Sequence, residues 1–114
     1  MNNKHMIDLQ QLQKEVYANK VEKRFNLTDI ALEFCRAHEE LSEAFKKYNL
    51  DQDGVAEELA DVAIFLLGIS EIMGFDLEDE IVRKIEINKK RKYTESINEH
   101  GKKVLIRVKT ENDQ

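Results

Sequence analysis

Proline and tryptophan are absent from these 114 residues, and glycine occurs only four times. A chain with so few forced turns favours long helices and excludes a many-turned sandwich or barrel. There is one cysteine, Cys35. A lone thiol cannot build an intramolecular disulfide framework, and it suits a reducing compartment. Long hydrophobic runs are missing too. The longest, Val62 to Gly68, is far too short to span a bilayer, so no membrane partner is expected. No apolar core of a signal peptide follows Met1-Asn2-Asn3-Lys4-His5. The length fits one domain with a single core. The expectation is a soluble, cytoplasmic, all-α domain.

What the chain does have is charge. Acids number 23 and bases 18, a net of −5, which argues against stable nucleic-acid binding. The distribution is uneven. Residues 83–114 carry ten bases and five acids, while residues 1–82 carry eight bases and eighteen acids. An acidic body with a basic last third is compatible with a metal–phosphate ligand, and a solvated charge asymmetry would look the same.

Four helical segments are legible. The first runs from about Ile7 to Lys23, with Leu9, Leu12, Val16 and Tyr17 as a partial apolar stripe. Phe25-Asn26-Leu27 interrupts it, and Thr28 or Asp29 can cap the second helix. The second stripe is Ile30, Phe34, Ala37, Leu41, Ala44, Phe45 and Tyr48. Asn49 to Gly54 resembles the start of a calcium loop, but its twelfth position is Ala60, where such a loop needs a bidentate Glu. It is therefore read as a connecting turn, with Asp53 or Asp51 as N-cap. The third helix spans about Val55 to Met73 and stops at Gly74. Asp76 caps a fourth, from Leu77 to about Lys92, with Ile81 and Ile85 inward. Val104 to Val108 suits one short strand or an extended arm, and Glu111 to Gln114 a frayed end.

The third helix holds the most informative residue. From Leu59 to Ser70, Asp61 is the only charged side chain. A helix apolar nearly all round is buried in a larger core or an oligomer. A buried carboxylate costs several kcal/mol unless protonated, paired or metal-bound. Glu58 lies three residues before Asp61, and Glu40 and Glu43 form a matching pair on the second helix. Counted outward from the turn, Glu43 comes level with Glu58 and Glu40 with Asp61 in an antiparallel pair. Like charges at that range repel by roughly 1 kcal/mol or more per pair. A hard divalent cation with oxygen ligands removes this cost, with Mg²⁺ the natural candidate and Mn²⁺ possible. Glu39, Glu57 and Glu78 read as ordinary surface acids. A di-iron bundle needs Glu-x-x-His pairs, and no Glu stands three residues before His5, His38 or His100. Cys35 and His38 lack a third orienting group, which speaks against a Cys–His nucleophile.

Glu39-Glu40-Leu41-Ser42-Glu43 followed by Glu58-Leu59-Ala60-Asp61 resembles the EExxE…ExxD signature of MazG-like all-α nucleoside triphosphate pyrophosphohydrolases. Lys84 to Tyr93 is similar to the family's Lys-x-x-x-Asn-x-x-Arg run. The resemblance covers residues 28–93. It implies a four-helix bundle-like fold completed by a second subunit, as a homodimer or homotetramer. A helical catalytic domain would then occupy residues 1–93, and a short extended tail residues 94–114. It also implies Mg²⁺-dependent cleavage between the α- and β-phosphates of a nucleotide, giving a nucleoside monophosphate and pyrophosphate, in a role such as nucleotide-pool cleaning. The implied metal ligands are Glu40, Glu43, Glu58 and Asp61, with Glu39 to orient or deprotonate the water. Lys84, Asn88 and Arg91 share one helical stripe suited to phosphate oxygens. Phe65, one turn after Asp61, is the first candidate to stack on the base, ahead of Tyr48 and Phe25.

Two other readings compete. Phosphoribosyl-ATP pyrophosphohydrolases share the hairpin of acids, but typically show Tyr-His after the last one, where this chain has Val62-Ala63-Ile64-Phe65. A non-catalytic helical interaction module is the alternative from another class.

Overall fold

A computed structural model describes residues 6–109. Its elements are α1 (Leu9–Lys23), α2 (Ile30–Asn49), α3 (Val55–Met73), α4 (Leu77–Lys90), β1 (Lys92–Ile97) and β2 (Lys103–Val108). The expected frayed end, Glu111 to Gln114, lies outside the described residues. The chain divides into two compact units after Glu78.

In the first unit α3 is the central helix and packs against both α1 and α2. Local chemistry sets the helix ends. The Asp8 carboxylate accepts from Gln11 N at 3.0 Å, and Asp29 accepts from Leu32 N at 3.0 Å. Each satisfies a first-turn N–H that has no partner within the helix. The α2–α3 turn differs from expectation. Neither Asp51 nor Asp53 caps α3; its N-cap is Gly54, at φ 104°, with no side-chain bond. Gln52 N donates to Lys47 O at 2.8 Å, which folds the connection tightly over the end of α2. The left-handed residue that closes this bond is Asp51, at φ 54°, and a second left-handed position, at Gly54, then turns the chain into α3, a conformation glycine takes most cheaply. Gly74 ends α3 as expected, at φ 82°.

The stripe of α2 is divided. Its small members Ala37 and Ala44 are buried, whereas Phe34, Leu41, Phe45 and Tyr48 are exposed, Tyr48 at 72%. Ala37, Glu40, Ala44 and Lys47 recur at alternating steps of three and four, a single helical face. Among the described residues only Ala37, Ala44, Leu67 and Ile69 are buried hydrophobics. Polar staples supplement this small core. Lys20 of α1 bonds to Glu33 of α2, both buried, and Asn26 Nδ2 donates to the second Glu33 oxygen at 3.1 Å. Gln13 is 3% exposed. Its amide donates to Glu71 Oε1 at 2.9 Å and Phe75 O at 2.7 Å, and its Oε1 accepts from Leu77 N at 3.2 Å. One side chain thus ties α1 to the α3–α4 turn.

The second unit consists of the rest of α4 and a hairpin. β1 and β2 pair antiparallel from Lys92↔Val108 to Ile97↔Lys103. Asn98 organises the turn: its Oδ1 accepts from His100 N at 2.9 Å and Lys102 N at 3.0 Å. The strand expected at Val104–Val108 is present, but it has a partner strand that the charge-rich sequence concealed. α4 ends at Lys90, two residues short of the expected end, where β1 is about to begin. Ile81 and Ile85, expected to face inward, are 37% and 47% exposed. One helix and two strands are too little to enclose them.

Gln13→Ala should lower the free energy of unfolding by about 2–4 kcal/mol, because it strands a buried N–H and C=O as well as deleting packing. Denaturant titration checks this, and a loss below about 0.5 kcal/mol would mean that the staple carries no load.

Candidate metal centre

The α2–α3 turn sets the register of the two helices it joins. Lys47, near the end of α2, lies against Gly54 at the start of α3. Moving away from the turn, Glu58 and Asp61 on α3 meet Glu40 on α2. These three offer carboxylate oxygens that all lie within 4.8 Å of one another, and each residue is partly buried. Their convergence follows from the seam. Ala37 and Ala44 flank Glu40 and allow the helix backbones to approach.

The other sequence candidates fall differently. Glu39 and Glu43 are exposed, and Glu43 is outside the cluster of three although its charge acts on Glu40. Cys35 and His38 are exposed. In the second unit, Arg91 Nη1 donates to Asn88 Oδ1 at 3.1 Å, and Lys84 is exposed. Arg91 stands just past the end of α4 rather than within it.

Lys47 is the participant that the acid pattern did not point to. Its Nζ lies 2.9 Å from Glu58 Oε1. The signal was present, since Lys47 is seven residues after Glu40 on the same face. The pair has an electrostatic signature. The bond from Lys47 lowers the Glu58 pKa and raises that of the lysine. Glu40 moves the other way. Its pKa is raised first by the hydrogen bond with Glu58, in which the protonated Glu40 donates, then by burial and by the charges of Glu58, Asp61 and Glu43. One ammonium against three close carboxylates leaves the cluster under-neutralised. All-oxygen donors at this spacing fit a hard divalent cation.

A cavity of about 520 Å³ lies one helical turn along α3, between α1, α2 and α3. Phe65 and Phe25 line it, together with Val16, Ile64 and the Lys20–Glu33 pair; Tyr48 does not. Of the three aromatic candidates, two therefore share one apolar chamber.

The opposed shifts predict opposed mutants. In chelator at neutral pH, Glu40→Gln should raise Tm by roughly 2–5 °C by removing like-charge repulsion. Glu58→Gln should lower it by losing the Lys47 pair. The sign with pH follows. The raised Glu40 pKa favours the folded state at low pH, a contribution lost as pH rises through the folded value. The Glu40→Gln gain should therefore vanish as pH falls into the ordinary carboxylate range. The Glu58 contribution is present above that range and lost as pH falls through the lowered value. Melting curves across pH in chelator test both, and equal responses of the two variants would contradict this electrostatic picture.

No family model and no curated protein matches the chain. A solved structure does. It is the Cyanophage S-2L MazG-like pyrophosphohydrolase bound to dGDP and three catalytic Mn²⁺ ions per active site. The likeness has a TM-score of 0.60 at 23% identity and covers 89% of this chain and 99% of that one. The chain therefore has the fold of a MazG-like pyrophosphohydrolase.

Proposed function

We propose that the protein is a nucleotide pyrophosphohydrolase that requires Mg²⁺, with Mn²⁺ as a substitute. It cleaves the α–β phosphate bond of a nucleoside triphosphate to give a nucleoside monophosphate and pyrophosphate. The observation that carries this reading is the convergence of Glu40, Glu58 and Asp61 oxygens within 4.8 Å. The shared fold with an enzyme that holds dGDP and Mn²⁺ supports it.

In this reading Glu40, Glu58 and Asp61 hold the metal, and Glu43 joins them from the next turn of α2. A divalent cation at such a site neutralises phosphate charge and lowers the pKa of a water molecule. The chain's own groups do the rest. Glu39 takes a proton from the attacking water, whose oxygen forms a new bond to phosphorus as the α–β bridging bond breaks and pyrophosphate leaves. Lys84, Asn88 and Arg91 bind phosphate oxygens. Phe65 stacks on the base, and the chamber it lines provides the apolar end of the site. These roles fall within residues 1–93, and none of them is assigned to the paired residues of the hairpin beyond Tyr93. The working unit is a cytoplasmic homodimer or homotetramer. The exposed large residues of α2 support assembly, because such a row is costly to leave in water.

Two experiments test this. The protein is incubated with Mg²⁺ and a panel of canonical and modified nucleotides, and pyrophosphate is assayed against orthophosphate. Pyrophosphate is expected, and Asp61→Asn should reduce kcat/KM by at least about 100-fold. Orthophosphate alone would contradict α–β cleavage. No turnover and no metal-dependent stabilisation would favour a non-catalytic helical module. Separately, Leu41→Glu combined with Phe45→Glu should shift the sedimentation coefficient to that of a monomer. An unchanged oligomer would place the interface elsewhere.

A further inference from the structure

The carboxylate centre contains its own cation. Lys47 reaches it from α2, with its Nζ 2.9 Å from Glu58 Oε1. The side chain is confined as well as paired. It is 29% exposed, against 15% for Glu58, and it runs over Gly54. A Cβ on residue 54 would come within 3.0 Å of the Nζ and 3.4 Å of the Cδ. The glycine that the turn requires thus also leaves room for the lysine. An ordinary surface lysine keeps its rotamer freedom in water and gains little from an ion pair. This one is paired with Glu58, one of three carboxylates that repel one another, and it offsets that one charge.

We infer that Lys47 is a tethered counter-ion: it holds Glu58 in the metal-free protein and is displaced from it when a divalent cation binds. The inference rests on the metal reading above. A cation drawing on the Glu58 carboxylate competes with the ammonium for the same negative charge, and the two positive charges repel at close range. Lys47 therefore weakens metal binding while sparing the empty site the full repulsion of its acids. Lys47 acts through Glu58 and is a positioning residue.

The test compares wild type with Lys47→Met, Lys47→Gln and Lys47→Arg, using Mn²⁺ alone. Bound Mn²⁺ is measured by the electron paramagnetic resonance of the free ion, and Tm is measured in chelator and in saturating Mn²⁺. Both neutral variants should bind Mn²⁺ about tenfold more tightly, from the Coulomb energy of one removed charge. Lys47→Arg should stay close to wild type. The neutral variants should melt lower than wild type in chelator and lose that deficit in Mn²⁺. A purely structural lysine would leave the same deficit in both conditions, and that result overturns the inference. Unchanged or weaker Mn²⁺ binding in both neutral variants also overturns it and leaves the metal reading intact. Wild-type protein that binds no Mn²⁺ overturns both.

Discussion

The close seam between α2 and α3 is the constraint on which the rest depends. Two alanines, Ala37 and Ala44, are the buried apolar α2 residues on the face that carries Glu40 and Lys47. Small side chains let two helices approach, and approach is what turns acids on separate helices into one cluster. A seam of alanines buries little apolar area, so the same feature limits the stabilisation available from packing. The first unit responds with polar anchoring. Gln13, Lys20 and Glu33 are buried and hydrogen-bonded, with the half-buried Asn26 completing the Glu33 contacts, and they fix α1 to its neighbours. Such groups stabilise only when fully satisfied, which ties the position of α1 to one arrangement.

The electrostatics of the seam follow from placing three acids and one base in a row. Glu58 sits between Lys47 and Glu40, so its environment favours charge. Glu40 faces Glu58, Asp61 and Glu43 and has no ion pair among the described residues, so its environment disfavours charge. Neighbours of the same chemical type thus respond to protons in opposite senses, because of which side of Glu58 each partner occupies. Low pH relieves Glu40 but removes the Lys47–Glu58 attraction. High pH restores that attraction and charges Glu40. Neither limit satisfies every member of the cluster, and that residual imbalance is what a divalent cation with oxygen ligands can correct.

Much of this was legible in the sequence, for a physical reason. Helical periodicity repeats over many residues, so α3 was placed with its observed bounds, and counting outward from the turn brought Glu40 to the acids of α3; the same count set Glu43 level with Glu58, whereas Glu58 bonds Glu40 and Lys47 and Glu43 lies outside the cluster. Features decided by three-dimensional context were harder to see. β1 begins at Lys92, which read as the charged end of α4, and the residues that follow, Tyr93, Thr94 and Glu95, carried no strand assignment. The alternation through Ile97 and the Asn98–Gly101 turn were the available signals for a hairpin. The N-cap was assigned to Asp51 or Asp53 because their side chains can cap, whereas the backbone path required Gly54 at positive φ. The stripe of α2 was read as one inward face. A wide stripe cannot all meet a single neighbour, and the small residues took the contact while Phe45 and Tyr48 turned outward. Gln13 and Lys47 look like surface residues in any linear reading, and only burial and distance distinguish them.

The division of labour along α3 bears on what the site can hold. Its first half carries Glu58 and Asp61 toward α2. One turn later Ile64 and Phe65 line the chamber shared with α1. The helix thus presents a carboxylate end suited to a metal ion and an apolar end suited to a flat ring, about one helical pitch apart, roughly 5 Å. Simple inorganic anions would use only the first end, through a cation held there, and an apolar ligand only the second. A nucleotide has both parts, joined by a sugar of comparable span. The proposed substrate class therefore draws on the order of residues along one helix as well as on the acids.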